Sequence, residues 1–413
     1  MRRPSSPALR TIAPVLFGVL GLSVAASGQS LLTEDDVPAA VGRFVNGPMN
    51  WTPTLTLRDA GVDTNIFAVP SNEKRDTTAS VMPSVDSRLA LGSVRAHSKG
   101  HLEYLYFQQY AQERALNGQV ETRLEMPDRR VRPLVRLEWA KLRDRSTSEV
   151  EVRVPRREHE LAGALEAHVA PRTWVGGGVA RRTIAYEPGF TFGDADLSRQ
   201  LNRTEDTVMG AMRTALSPFT TMTAEVSTGW DMFALQPERD TRNVRANVGF
   251  QFSPDAVISG HASVGYHAMQ AKWKDYPGGA GTFSGVTASV DLTFVLVDRT
   301  QIVVRAGRDT TYSASLRQPF YLSTVGELEI THALVGPLEV LGRGRHESLG
   351  YAATTFANAR TDQVGFVGGG LAVRMSSNAR VGFNVDQTVR WSTEGDVFGY
   401  TRRRFYTTAT YGF

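Results

Sequence analysis

Asn243-Val244-Arg245-Ala246-Asn247-Val248-Gly249-Phe250-Gln251-Phe252 alternates polar and apolar residues without a break. Successive side chains of an extended strand point to opposite faces, so this stretch predicts a strand with one apolar and one polar face. The pattern spreads outward from it. Ile258, Gly260, Ala262, Val264 and Tyr266 alternate with Ser259, His261, Ser263, Gly265 and His267. Val286, Ala288, Val290, Leu292, Phe294 and Leu296 alternate with Thr287, Ser289, Asp291 and Thr293. Val381, Phe383, Val385, Val389 and Trp391 oppose Arg380, Asn384, Asp386, Thr388 and Arg390. These runs last about 10 to 14 residues, against the ~5–6 of an ordinary strand. A tilted strand needs ~9–11 residues to cross the hydrocarbon layer of a membrane.

Tight turn signals punctuate the chain about every 40 residues. They fall at Ala90-Leu91-Gly92, Pro127-Asp128-Arg129, Ala170-Pro171-Arg172, Ser217-Pro218, Ser253-Pro254-Asp255, Val297-Asp298-Arg299, Val335-Gly336-Pro337 and Ser376-Ser377-Asn378. Longer polar segments lie between them, such as Glu187 to Asn202, Lys272 to Gly281 and Tyr351 to Thr361. A β-propeller shares this period, but its blades need four short strands in the span where this chain has two long ones. Eight tight turns and nine long loops join about eighteen strands, the first near Trp51 to Arg58 and the last at Arg404 to Phe413. The expected fold is an all-β, closed antiparallel transmembrane barrel over residues 51–413, with short periplasmic turns and long extracellular loops. Closure is required because hydrocarbon offers no partner to an unpaired backbone group. Trp139, Trp230, Tyr266 and Trp391 sit at the loop-ward ends of apolar faces, where an aromatic girdle belongs.

The two ends fit export. Arg2, Arg3 and Arg10 precede an apolar run from Ile12 to Val24, and Ala25, Ala26, Ser27 and Gly28 follow. This is the layout of a cleaved signal peptide, assigned to residues 1–28, and it leaves 29–50 as a periplasmic or lumenal extension in which Thr33-Glu34-Asp35-Asp36 could cap a short helix. The chain has 46 basic and 42 acidic residues. Loss of the three leader arginines brings it close to neutrality, which argues against a nucleic-acid partner. It has no cysteine, so neither a disulfide nor a lipid anchor on a thiol is available. At the other end Phe405, Thr407, Ala409, Tyr411 and Phe413 share a face. Tyr411 and Phe413 are assigned to a terminal signal for the barrel-assembly machinery.

Apolar faces turned to lipid leave the polar faces for the lumen, and about eighteen strands enclose more space than side chains fill. The expected lumen is therefore wide and hydrated. On the first half of the chain Arg132, Arg136, Glu138, Glu166, Glu225, Asp231 and Arg245 point inward on this reading. On the second half Asp291, Arg305, Glu327, Glu329, Arg343, Arg345, Arg380, Asp386 and Arg390 do the same. Such charges set solute selectivity or pair across strands to hold register. Arg402, Arg403 and Arg404, at the expected start of the last strand, read as rim residues whose guanidinium forks suit lipopolysaccharide phosphate. His261 and His267 share a polar face but stand ~20 Å apart along a strand, too far to share a metal. No Gly-x-Ser-x-Gly elbow, P-loop or His-Glu-x-x-His motif occurs, so neither an enzyme nor a cofactor is expected.

Gly61-Val62-Asp63-Thr64-Asn65-Ile66-Phe67 follows the first strand, and Asp63 and Asn65 read as turn residues bonding local backbone. An Asp-x-Asn-Ile-Phe turn entering long alternating strands resembles the family called putative β-barrel porin 2, from about Trp51 to Phe413. The resemblance implies an outer-membrane channel associated with polysaccharide secretion, working with a periplasmic polysaccharide-export protein in a membrane of lipid and lipopolysaccharide. A diffusion porin for small solutes is the alternative.

Overall fold

A computed structural model describes residues 44–127, 129–254, 256–272, 281–297, 299–395 and 398–412. The expected signal peptide, most of the expected 29–50 extension and Phe413 lie outside them. A short strand β1 (Phe44–Asn46) turns through Gly47-Pro48 and pairs with β2 (Met49–Asp63). The wall continues through β3 (Asp76–Leu91), β4 (Val94–Phe107), β5 (Ala115–Glu125), β6 (Val131–Asp144), β7 (Val154–Ala170) and β8 (Thr173–Tyr186). After a loop carrying the small hairpin β9 (Thr191–Phe192) and β10 (Ala195–Asp196) come β11 (Arg203–Ser217), β12 (Thr220–Phe233), β13 (Thr241–Phe252) and β14 (Ile258–Ala271). The rest are β15 (Phe283–Leu296), β16 (Thr300–Tyr312), β17 (Phe320–Ala333), β18 (Leu338–Tyr351), β19 (Arg360–Arg374), β20 (Ala379–Ser392) and β21 (Tyr400–Gly412).

Each wall strand pairs antiparallel with its neighbours in sequence, and β21 closes on β2 from Thr54↔Gly412 to Asp63↔Arg404. The result is a closed antiparallel barrel of eighteen strands. The tight turns form where Gly and Pro favour them; Gly92, for example, adopts the positive φ of 59° that the β3–β4 turn requires. The first strand runs from Met49 to Asp63 and the last from Tyr400, so both are longer than the sequence suggests.

The closing seam is irregular. Register shifts between Leu57 and Ala60 of β2, where Asp59 takes a positive φ of 51°. This bulge brings Gly61 so close to β21 that a Cβ would collide with the Phe405 carbonyl oxygen. The two faces of the wall separate cleanly. Val244, Val248, Phe250, Val264, Tyr266 and Val286 are exposed on the outer face, with Trp139, Trp230 and Trp391. On the last strand Phe405 and Tyr411 are exposed likewise. No helix among the described residues is long and apolar enough to cross a membrane.

Candidate functional site: the lumen and its inward hairpins

The inward face is built from alternate residues of every wall strand, and its charges are largely matched. Arg213 makes a two-pronged pair with Glu166 at 2.6 Å, beside Arg132, which lies over the Trp174 ring. Arg136 pairs with Glu160, and Glu138 accepts from Gln119 at 2.9 Å. Arg305 bridges Asp291 at 3.5 Å and Glu327 at 2.8 Å, and Arg345 pairs with Glu347 at 2.6 Å. Glu329 stands across from Arg343 in register. Arg380 pairs with Glu339 at 2.7 Å, and Arg390 with Asp362 at 2.8 Å. Asp386 accepts from Arg343, Arg404 and the Tyr406 hydroxyl, each at 2.8 Å. That carboxylate has room because Gly368 faces it; a Cβ there would strike its Oδ1. Opposite charges facing each other across neighbouring strands fix register as well as line the pore.

The arginine run near the end of the chain behaves differently from the rim expectation. Because β21 already begins at Tyr400, the three arginines lie within a strand and alternate faces. Arg402 is buried against Asp63, and Arg404 bonds Asp386 and Asp59 inside the barrel. Only Arg403 faces outward, donating to Gln387 at 3.0 Å. Arg402 and Arg404 therefore cannot meet lipopolysaccharide phosphate. Asp63 and Asn65 do more than turn the chain. Asp63 accepts from the Asn65 N–H at 3.1 Å while paired with Arg402, and Asn65 donates to Val69 O and Thr401 O across the seam.

The lumen is not open throughout. Pairing of β6 with β5 stops at Lys141↔Gly118, and Asn117 Oδ1 accepts from the Arg143 N–H at 2.7 Å beyond it. Pairing of β16 with β15 stops likewise at Arg308↔Ala288. The freed tip of β16 reaches other strands instead: Asp309 pairs with Arg245, Thr310 bonds His267 at 3.4 Å, and Tyr312 donates to Asp231. The loops at these two hairpin tips, 145–153 and 313–319, meet across the lumen. Glu149 accepts from the Ser313 hydroxyl at 2.6 Å and the Ala314 N–H at 2.8 Å. Burial raises the Glu149 carboxyl pKa, against those two hydrogen bonds.

Apolar contacts seal the meeting point. Val150, Val154, Ile184, Tyr186 and Ala314 pack with Leu197 and Leu201 of the one-turn helix α1 (Leu197–Leu201), whose Asp196 cap accepts from the Arg199 N–H at 3.1 Å. Arg239 ties three loops together. It donates to Gln200 O at 2.9 Å and to Ser313 O and Pro319 O at 2.8 Å, and burial lowers its pKa to about 10. Arg390 on the wall holds the 145–153 loop from the other side, through Ser148 O at 3.0 Å and Glu151 at 3.1 Å. None of Glu149, Ser313, Ala314 or Arg239 is marked by a sequence motif. The apolar residues Val150, Val152 and Val154 between polar neighbours are the one signal that this loop packs against something.

Next to this junction lies a cavity of about 160 Å³. Side chains of β6 to β8, β11 to β14 and the inward tip of β16 line it, Arg182, Arg203, Asp231, Asn243 and Tyr312 among them. A family model described as putative beta-barrel porin 2 matches residues 40–412. The chain belongs to that family. Its outer-membrane, porin-type channel architecture follows from this membership and the closed barrel. No curated protein matches the sequence of this family member. Solved structures with a similar course include OpdK of Pseudomonas aeruginosa with vanillate, 12% identical over 88% of this chain and 98% of that one, with a TM-score of 0.48. OccAB4 of Acinetobacter baumannii is 7% identical over 88% and 98%, with a TM-score of 0.49. A BenF-like porin of Pseudomonas fluorescens Pf-5 is 11% identical over 88% and 98%, with a TM-score of 0.47.

Proposed function

We propose that this barrel is a diffusion channel for small polar solutes. The observation that carries the reading is the meeting of loops 145–153 and 313–319 through Glu149, Ser313 and Ala314. A polysaccharide in transit needs a bore held open along its whole length, and this junction stands in that bore. The adjoining cavity of about 160 Å³ has room for a small solute only. Its charged and hydroxylated walls offer the weak, multiple contacts that conduction requires. The polysaccharide conduit that the family resemblance implied is therefore the weaker reading.

The test is a deletion strain in which surface polysaccharide and uptake of small solutes are measured together, with swelling of proteoliposomes containing the purified barrel. Small sugars should enter the liposomes, oligosaccharides should be excluded, and the strain should keep its surface polysaccharide. Loss of that polysaccharide with small-solute uptake intact would restore the conduit.

A further inference from the structure

We infer that the outward face of β6 and β7, at their loop-ward ends, binds the phosphate of the outer leaflet's acylated glycolipid, lipopolysaccharide. The inference concerns the outside of the wall and does not depend on what the channel conducts. Parity sorts the side chains of these two strands. Glu138 and Asp144 of β6 and Glu158, Glu160 and Glu166 of β7 hold even positions, the inward register shared by Arg136 and Arg156. Val135, Leu137 and Trp139 of β6, with Leu161 and Leu165 of β7, hold odd positions and are exposed on the outer face. Lys141 and Arg157 share that outward register and are exposed as well. Every acid of the two strands thus faces the lumen, while these two bases face the membrane.

Lys141 and Arg157 stand directly opposite each other across the ladder, where like charges repel. Neither has a carboxylate partner among the described residues. The charges around them are engaged elsewhere. Arg143, the next odd position of β6, bridges Glu113 at 3.8 Å, and Arg181 of β8 holds Asp206 through two bonds at 2.6 and 2.7 Å. Glu187, where the chain leaves β8, donates its N–H to Pro155 O and makes no ion pair among the described residues. A phosphate set between the two bases turns their repulsion into charge-assisted hydrogen bonds. The layers beneath select the kind of phosphate. Trp139 and His159 face each other one step down, with ring centres 6.5 Å apart. Aromatic girdles mark the membrane interface, so bases ~7 Å further up the strand stand at headgroup height. The indole and imidazole N–H groups can donate to sugar hydroxyls. Leu137 and Leu161, opposite each other below the rings, and Leu165 offer apolar surface to acyl chains. A free phosphate ion has no use for the leucines, and a phospholipid brings no sugar to the rings. Arg242, by contrast, lies on the outward face between Trp230 and Gln270, with no second base opposite it.

The test uses the full barrel refolded in detergent without lipid, with bound lipid counted by native mass spectrometry. Three probes are added at equal concentration: lipopolysaccharide, the same lipopolysaccharide stripped of its phosphates, and phosphatidylglycerol. The phosphorylated glycolipid should be retained at least fivefold more than either of the others. Lys141→Gln combined with Arg157→Gln should remove that preference, with heat-modifiable migration verifying that the variant is folded. Lys141→Arg combined with Arg157→Lys keeps both charges and should retain it, as should Arg242→Gln. Equal retention of the dephosphorylated glycolipid or of phosphatidylglycerol by the unaltered barrel would overturn the inference, and that comparison needs no variant. Undiminished retention of lipopolysaccharide by the folded double variant would overturn it too.

Discussion

At the scale of single residues the seam is the most exposed to perturbation. Asp63 is 2% exposed and its charge is met by Arg402 on the strand that closes the barrel. Removing one member of a buried ion pair leaves the other charge unpaired, at a cost of ~3–5 kcal/mol. Arg402→Met should therefore lower the temperature at which the folded band converts to the unfolded one in gel-shift assays. Arg402→Lys should fall between, since it restores charge without the two-pronged geometry. An unchanged conversion temperature for Arg402→Met would mean the pair does not secure closure. Gly61→Ala tests the same seam by steric means, and the collision with Phe405 O predicts a smaller folded fraction. Gly61 and Asp63 sit in a stretch that reads, from sequence, as a local turn. The long-range half of its bonding was not legible, because nothing in Asp63-Thr64-Asn65 names a partner more than 330 residues away.

At the scale of elements the two inward hairpin tips are set against each other by one carboxyl. Their packed arrangement binds a proton on Glu149 more tightly than the ordinary glutamate value of 4.5 allows. Acid therefore favours the packed tips. That contribution is fully present below 4.5 and is lost as pH rises through the raised value. Single-channel conductance should accordingly increase with pH over that window, and Glu149→Gln should flatten the profile at the low-conductance end. A profile unchanged by Glu149→Gln would remove the carboxyl from any part in gating. Glu149→Ala leaves the Ser313 hydroxyl and the Ala314 N–H without their acceptor, at ~1–3 kcal/mol, and should raise conductance at every pH. Period-two alternation revealed the strands because it depends only on near neighbours. The inward course of loops 145–153 and 313–319 was hidden because it depends on which distant loop each one meets. The Arg402 to Arg404 run shows how little separates the two cases: moving the strand start from Arg404 to Tyr400 turns a rim patch into two lumen residues and one outward one.

At the scale of the whole molecule, strand number and the alternation of turns with loops followed from turn chemistry and the length of the apolar runs. Sidedness is open to direct test. On intact cells a cysteine replacing Ala357 should react with an impermeant maleimide, and one replacing Asn378 should not. The native chain has no cysteine to confuse the result, and the reverse pattern would invert the topology. The junction of the two tips also has a mechanical side. The hairpins that meet, β6–β7 and β16–β17, have six wall strands between them in one direction and eight in the other, so they arise from nearly opposite walls. Their contact is a brace across the diameter. A barrel of this girth, squeezed by the surrounding bilayer, would otherwise be free to flatten into an ellipse. The brace resists that flattening, so lateral membrane pressure and the grip of Glu149 on Ser313 and Ala314 act on one and the same coordinate.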